Sequence, residues 1–323
     1  MQEKPKVSYI IVDNEFSGQR LDNFLLRELK GVPRSLVYRI VRRGEVRVNE
    51  GRSKVSTRLR GGDRVRIPPL RISRRPQPPI ERNGLEVRIL YEDDHLVVVE
   101  KPTGLAVHAG SGIRTGLIEM LRQQRPDDRF LDLVHRLDRE TSGCLLLARR
   151  RSALRRLHED LRLNPGGSSQ FRKTYLALVQ GDWDARRSVV EIPLRKNAER
   201  GGERMVVPDE DGLYARSVFT THERFDQSTL MKVSLLTGRT HQVRVHAAAS
   251  GHPVLGDEKY GDKTANSRLR AMGLKRLFLH ASELGFLHPA TRERIEIRSA
   301  LPPDLAQVLR TLEGSRTDVD NPR

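Results

Sequence analysis

The stretch from residue 68 to residue 84 strongly restricts how this chain can fold, because it holds five of the chain's 17 prolines. Proline fixes φ and lacks a backbone N–H, so such a segment continues neither a helix nor the inner strands of a sheet. We predict a semi-extended linker here, with the boundary between domains at residues 76–85. The 323 residues are thereby divided into a small N-terminal part and a larger C-terminal part.

Positive charge is concentrated before this linker. The formal net charge is +17. Residues 1–75 hold 19 basic and 8 acidic side chains, a net charge of +11, so the other 248 residues carry only +6. A small basic module joined to a nearly neutral domain indicates an anionic partner, usually a nucleic acid. The chain has 48 Arg and 11 Lys, and codon composition alone also produces an arginine bias of this kind.

The spacing of apolar residues in the N-terminal part predicts two short helices and a small sheet. Apolar residues recur at helical spacing within residues 20–30 and 33–43, and Gly44 ends the second helix. Residues 46–48 and 65–67 alternate valine or isoleucine with arginine, which is typical of short strands. A module of this size buries just enough apolar surface to fold.

Residues 20–25, 39–49 and 61–65 resemble the S4 RNA-binding domain. We assign this domain to residues 18–75 and treat residues 1–17 as an N-terminal extension. The resemblance implies binding to structured RNA, largely through its phosphates. The RNA-binding candidates are the arginines Arg34, Arg39, Arg42, Arg43, Arg47 and Arg58. For any one of them, a solvated surface position explains the sequence equally well.

The C-terminal part mixes strand and helix patterns over residues 86–311. Compact apolar runs predict strands at residues 96–99, 144–148, 175–179, 231–235 and 294–297. Helical patterns occupy residues 116–124 and 152–163, the latter with Ser152 as its N-cap. Several strands with few helices between them predict an α+β domain on a mixed, largely antiparallel β-sheet. Residues 312–323 read as a polar tail.

Three segments of this domain combine charged, aromatic and turn-forming residues, namely residues 133–143, 171–179 and 236–246. Asp138 lies between two arginines, which fits either a surface ion pair or a carboxylate kept ionised in a cleft. Tyr175 fits a strand aromatic that fills the core. His241 and His246 have a spacing of five, unlike that of zinc ligands, and the one cysteine, Cys144, is remote in sequence. We therefore predict no metal site.

In their order and residues, these segments resemble the pseudouridine synthases of the ribosomal large-subunit type. The resemblance implies that Asp138 is the catalytic aspartate, that Arg244 is its basic partner and that Tyr175 stacks on uracil and assists proton transfer at C5. Arg136 then fills the space left when the target base leaves its stack. The further substrate-binding candidates are His135, Leu137, Arg139, Thr141, His241 and Gln242. Residues 164–169 look like an inserted loop.

The implied reaction isomerises uridine to pseudouridine in 23S ribosomal RNA with neither a metal nor a cofactor. The implied partner is this RNA or a large-subunit assembly intermediate. We expect a cytoplasmic protein, since the chain has one cysteine and no stretch of about 20 apolar residues that could span a membrane. Nothing in the sequence indicates more than a monomer. Two other functions stay open: a non-catalytic RNA-binding factor in ribosome assembly, and a glycosidase acting on nucleosides.

Overall fold

A computed structural model describes residues 6–29, 32–70, 87–109, 115–162, 171–183, 187–200 and 203–317. The chain divides into two compact units, Met1–Leu85 and Glu86–Arg323. The predicted linker at residues 76–85 and the predicted inserted loop at residues 164–169 both lie outside the described residues.

The described part of the first unit contains a four-stranded antiparallel sheet and two α-helices. Its elements are β1 (Ser8–Ile11), α1 (Leu21–Glu28), α2 (Arg34–Arg42), β2 (Arg47–Val48), β3 (Gly51–Arg52) and β4 (Arg64–Ile67), with the strands in the order β1-β4-β2-β3. Both helices lie where the apolar spacing predicts them. Gly44 follows α2 with φ of +72°, a conformation that glycine adopts without strain.

Residues 8–17 belong to this sheet and its core, although the sequence indicates an extension outside the domain. Strand β1 pairs antiparallel with β4, with Ser8 opposite Ile67 and Ile11 opposite Arg64. Val12 and Phe16 are buried directly after it. The sequence pattern misses β1 because it is an edge strand whose side chains are mostly exposed, so no apolar alternation marks it.

The second unit is built on one large sheet. Its elements are β5 (Ile89–Glu92), β6 (Leu96–Lys101), α3 (Leu117–Gln124), β7 (Asp132–Leu133), β8 (Ser142–Ala148), α4 (Arg151–Arg162), β9 (Phe171–Gln180), β10 (Arg187–Glu191), β11 (Leu194–Arg200), β12 (Glu203–Pro208), β13 (Arg216–Phe225), β14 (Ser228–Leu235), α5 (Gln242–Ala249), α6 (Lys263–Ala271), β15 (Leu279–Leu287), β16 (Arg294–Arg298) and α7 (Pro303–Thr317).

The strand order of this sheet is β10-β13-β14-β9-β15-β8-β6-β5, with β16 beside β15 and β7 beside β8. The short pairing of β15 with β8 is parallel, and the other pairings in the described residues are antiparallel. Along β9, Ala177 packs in one apolar core and Leu178 in another, so both faces of the sheet are covered. The predicted α+β fold with a mixed sheet is confirmed.

Two local predictions differ from the structure. Helix α4 begins at Arg151, so Ser152 lies in its first turn and not at the N-cap. Helix α7 continues to Thr317, well into the stretch predicted as a polar tail from residue 312. Leu312 packs against the same apolar core as Leu305 and Val308, so the helix does not end before residue 312. A single apolar side chain in a polar stretch gives a weak periodic signal.

Candidate active site

A cavity of about 600 Å³ opens in the second unit beside β9, and we call it the central cleft. Its wall is formed mostly by the three segments that stand out in the sequence and their immediate neighbours, within residues 132–141, 171–175 and 235–244. The other residues of the wall are Val107, His108, His158, Leu161, Lys196 and Leu279. These segments are far apart in the chain, and the sheet brings them together. The volume lies in the range of small-ligand sites and suits a single nucleotide.

Asp138 lies on the loop between β7 and β8, with its side chain 24% exposed in the cleft. The turn after it is closed by a hydrogen bond from the Thr141 N–H to the Asp138 carbonyl O. Gly143 then has φ of +110°, and a Cβ atom there would lie 2.3 Å from the carbonyl O of Ala281. Glycine at this position is therefore needed for the close approach of β8 to β15.

Lys101 supports the same loop, a role that no pattern in the sequence indicates. Its buried ammonium donates hydrogen bonds to the carbonyl O atoms of Pro102, Leu105 and Arg139 at 2.8, 2.8 and 2.9 Å. Burial lowers the pKa of Lys101 to about 7. Because one of its acceptors is the residue directly after Asp138, Lys101 helps to fix the position of the catalytic candidate.

Arg244 faces Asp138 from the first turn of α5. Its Nη1 atom lies 3.5 Å from Asp138 Oδ2, while Nε and Nη2 donate to the two carboxylate oxygens of Asp257 at 2.7 and 2.8 Å. Burial opposes ionisation of Asp257, but the hydrogen bonds from Arg244 outweigh it and hold the pKa of this carboxyl below its usual value. One guanidinium thus forms ion pairs with two carboxylates.

Tyr175 lies on β9 with 6% of its surface exposed, and its side chain lines the cleft. Burial, and then the charge of Asp138, raise its pKa above the ordinary value. The phenol therefore stays protonated at neutral pH. The structure thus brings together Asp138, Arg244 and Tyr175, the three residues predicted as catalytic.

Two family models match this chain, one in each unit. A family model described as RNA pseudouridylate synthase matches residues 95–249, and an S4 domain model matches residues 19–65. Ribosomal large subunit pseudouridine synthase C of Pasteurella multocida (strain Pm70) is 48% identical over 316 residues, covering 96% of this chain and 95% of that protein. The chain belongs to the RNA pseudouridylate synthase family.

Other relatives of the synthase agree with this assignment. Ribosomal large subunit pseudouridine synthase C of Escherichia coli (strain K12) is 46% identical over 321 residues, covering 97% of this chain and 99% of that protein. Among solved structures, Human RNA Pseudouridylate Synthase Domain Containing 4 is 27% identical, with a TM-score of 0.57 and coverage of 70% of this chain and 93% of that chain. The family resemblance seen in the sequence is confirmed.

Lys173 adds a further cation to the cleft of the synthase. It lies two residues before Tyr175 on β9, so both side chains lie on the same face of the strand. Burial, and then the neighbouring charge of Arg239, lower the pKa of Lys173 to about 8. Partial burial of an ammonium costs folding free energy, and a cation in this position suits the phosphates of RNA.

Replacing Lys173 by Met should stabilise the synthase at neutral pH. The ordinary lysine pKa of 10.5 applies to the unfolded chain, and the folded value is about 8. Below pH 8 both states are protonated, so folding carries the full cost of burying the charge. As pH rises from 8 to 10.5 the folded protein loses the proton first, and the cost disappears. The melting temperature of Lys173→Met at pH 7 should exceed that of the wild type by a few degrees, at about 2–4 °C per kcal/mol.

Lys232→Met is the matched control for this comparison. Lys232 lies on the neighbouring strand β14 with its side chain 42% exposed, paired to Glu283. Its replacement should not stabilise the protein, because the ammonium is already solvated. Two results would show that burial of Lys173 costs no folding free energy. One is an equal melting temperature for wild type and Lys173→Met at pH 7, and the other is a difference between their melting temperatures that grows from pH 7 to pH 9.

The two histidines predicted to bind substrate are both held neutral. Burial, and then the charge of Lys173, lower the pKa of His135 to about 3, and its Nε2 accepts a hydrogen bond from the Leu146 N–H. Burial also lowers the pKa of His241, whose Nδ1 is 2.8 Å from the Tyr260 hydroxyl. His241 has φ of +54°, a left-handed conformation directly before α5. Neutral imidazoles add no positive charge to the cleft, so its cations are arginine and lysine side chains such as Arg244.

Gln242 lines the cleft, but its amide is fully occupied within the protein. Its Oε1 accepts from the Thr237 hydroxyl and the Arg239 N–H, and its Nε2 donates to the Arg216 carbonyl O and the Ser217 hydroxyl. An amide has two donors and two acceptor positions, so this set uses them all. Gln242 therefore holds the loop before α5 and leaves no group for the predicted contact with substrate.

The other substrate-binding candidates occupy three kinds of position. Arg136 is exposed and lines the cleft, where its guanidinium is free to enter an RNA stack. Leu137 and Thr141 line the cleft but are almost fully buried, so they shape the wall behind Asp138. Arg139 lies away from the cleft wall, and its Nε donates to the Gly104 carbonyl O at 2.9 Å. The structure therefore favours Arg136 over Arg139 for contact with substrate.

In the first unit, the six arginines predicted to bind RNA are all exposed. Arg34, Arg39, Arg42 and Arg43 line one groove along α2, together with Ser35 and Tyr38. Arg47 and Arg58 lie elsewhere, and each donates to a backbone carbonyl O, that of Glu50 and of Gly18 respectively. A basic groove with a tyrosine in its wall suits phosphates and stacked bases.

No group of three His, Cys, Asp or Glu side chains in the described residues is arranged to hold a metal ion. Within the same residues, every helix is too short or too polar to cross a membrane.

Proposed function

We propose that this synthase converts specific uridines of 23S ribosomal RNA into pseudouridine, with Asp138 as the catalytic residue. One observation carries the assignment of the site: Asp138 is partly exposed in the cleft opposite Arg244, and a protonated Tyr175 lines the same cleft. Relatives that match nearly the whole chain are named ribosomal large subunit pseudouridine synthase C, which supports the choice of RNA. The basic groove on α2 supports the same substrate class.

The reaction needs one carboxylate, one cation and one aromatic surface. The N1–C1′ bond breaks, the uracil turns, C5 bonds to C1′, and the proton on C5 is released while N1 gains one. Asp138 fits two roles: attack on C1′, or removal of the 2′-proton to give a glycal. Arg244 offsets the desolvation of that carboxylate when RNA closes the cleft.

Tyr175 and Arg136 have different roles when the target base is flipped out of its stack. The Tyr175 ring forms part of the cleft wall, where the uracil stacks on it while the base turns. Its protonated hydroxyl assists the late transfer at C5 as a hydrogen-bond donor and acceptor. Arg136, exposed at the rim, stacks in the space that the uridine vacates, since its planar guanidinium both stacks and donates hydrogen bonds.

We further propose that the synthase works as a cytoplasmic monomer on 23S RNA or on a large-subunit assembly intermediate.

Purified protein should release tritium from transcribed 23S RNA that is labelled at C5 of uridine, without any added cofactor. Transcribed 16S RNA of equal labelling is the control and should release little. Sequencing of the product should map the pseudouridines to a few positions. Absence of release from both naked RNA and ribosomal precursor particles would contradict the proposed substrate.

A further inference from the structure

One face of the sheet in the first unit is formed by arginines and exposed apolar side chains, and we call it the outer face. Its residues are Tyr9 and Ile11 on β1, Arg47 on β2, Arg52 on β3, and Arg64 and Arg66 on β4. The strand register places four of them in one row across the sheet, in the order Tyr9, Arg66, Arg47 and Arg52. The alternate side chains of β4, those of Val65 and Ile67, are buried on the opposite face.

The arginines of this row repel one another in the free protein. Directly opposed side chains of an antiparallel pair have Cβ atoms about 4.5–5.5 Å apart, and like charges at that distance destabilise a sheet. Arg47 has Arg66 opposite it on one side and Arg52 on the other. Within the described residues none of the three forms an ion pair, and the hydrogen bonds of Arg47 and Arg66 go to backbone carbonyl O atoms. An anion that lies across the strands relieves this repulsion.

Tyr9 provides an aromatic surface at the end of the row. It is 54% exposed, and Ile11, two residues further along the same strand, is 61% exposed. The guanidinium carbon of Arg64 lies 4.8 Å from the centroid of the Tyr9 ring, which is a cation–π contact. Arg64 is itself paired with Glu50 at 2.7 Å. The ring is thus restrained by a neighbouring side chain and still open to solvent.

Arginines beside an exposed ring on an open sheet suit single-stranded RNA. Guanidinium groups bind the phosphates, and an aromatic ring stacks on any base, since every base has a π-face. In other RNA-binding domains a four-stranded sheet stacks two or three bases on exposed aromatic side chains. An RNA duplex keeps its bases stacked inside and offers none to Tyr9. The charge of the outer face therefore favours RNA, and its ring favours the single strand.

We propose that the outer face binds a single-stranded segment of the RNA substrate, with one base stacked on Tyr9 and phosphates along the arginine row. This inference rests on the proposed RNA substrate. It gives the first unit a second RNA contact on its sheet, in addition to the groove on α2. Of the residues in this contact, Tyr9, Arg52, Arg64 and Arg66 have no other role in the synthase.

Tyr9→Ser tests the stacking contact, and Tyr9→Phe is its matched control because phenylalanine keeps the ring. Filter binding of the full-length protein to transcribed 23S RNA should give a Kd about tenfold higher for Tyr9→Ser, the scale of one base–aromatic stack, and the wild-type Kd for Tyr9→Phe. On a blunt RNA duplex of mixed sequence, both variants should bind like the wild type. An unchanged Kd of Tyr9→Ser on 23S RNA, or an equal loss on the duplex, overturns the proposal.

Arg52→Gln tests the phosphate contacts through their salt dependence. Arg52 is exposed, and the control Arg310→Gln removes one exposed arginine from α7. For single strands, the logarithm of the binding constant falls with the logarithm of salt concentration by about 0.7 per phosphate contact. Arg52→Gln should therefore reduce the magnitude of this slope by about 0.7, whereas Arg310→Gln and Tyr9→Ser should keep the wild-type slope. A merely structural role of Arg52 would not change the slope.

Two further results separate the ways in which the proposal fails. Wild-type Kd and slope in Tyr9→Ser and Arg52→Gln together would overturn the RNA contact and assign the outer face to a protein partner. Both side chains are exposed, so these variants should keep the melting temperature of the wild type. Binding is measured without turnover. Failure of wild-type protein to release tritium from 23S RNA thus counts against the proposed function, while the comparison of Kd and slope still decides this inference.

Discussion

Asp138→Asn should abolish pseudouridine formation while leaving the affinity for RNA within about threefold of the wild type. Asparagine has nearly the same size and shape, but its amide neither attacks C1′ nor removes a proton. Loss of an essential catalytic group costs about 10⁴-fold or more. Single-turnover tritium release from 23S RNA measures the rate, and filter binding of the same RNA measures the affinity. The two measurements separate chemistry from binding.

The control for this variant is a second aspartate of the cleft. Asp132 also lines the wall, with its side chain 41% exposed and 3.5 Å from Arg122. Asp132→Asn removes one negative charge from the same cleft, so it reproduces any general electrostatic effect on RNA binding. It should retain a rate within about tenfold of wild type, because it changes none of the proposed reacting groups. A measurable rate for Asp138→Asn, similar to that of Asp132→Asn, would exclude Asp138 as the catalytic residue.

The catalytic candidates could be predicted from the sequence because each lies within a short, recognisable segment. Tyr175 belongs to the strand predicted at residues 175–179, and the structure places it on β9. Asp138 lies between two arginines just before a buried strand. Arg244 is 106 residues from Asp138 in the chain, so only the resemblance to a family could predict that the two side chains lie close together.

The supporting residues could not be predicted in this way. The pairing of Arg244 with Asp257 depends on where α5 ends and how the chain returns beneath it, which no local periodicity encodes. The sequence carries one indication of this turn, because Gly256 and Gly261 flank Asp257 and Tyr260. Glycines around a polar residue often mark a constrained turn. For Gln242, the sequence shows an amide near the site, but only the structure shows that its hydrogen bonds are already used.

The pair between Arg244 and Asp257 also predicts a large effect on stability. Arg244→Met removes the counter-charge and leaves a fully buried carboxylate, a change that costs about 3–5 kcal/mol when one partner of a buried pair is lost. We expect the free energy of unfolding of Arg244→Met, measured in urea at pH 7, to fall by about this amount. The deficit should depend on pH, because the variant changes the direction in which the pKa of Asp257 is shifted.

In the wild type, the pKa of Asp257 is lowered, so its contribution to stability is complete above the ordinary carboxyl pKa and is lost only at more acidic pH. In Arg244→Met, burial acts without the opposing guanidinium and raises that pKa, so the penalty is present at neutral pH and is relieved by protonation as pH falls. The gap between the two proteins should therefore shrink from pH 7 to pH 5. Arg244→Met combined with Asp257→Asn removes the buried charge and should recover much of the deficit at pH 7. A gap that stays constant between pH 7 and pH 5, with no recovery in the double variant, would mean that the carboxylate of Asp257 is not what Arg244 stabilises.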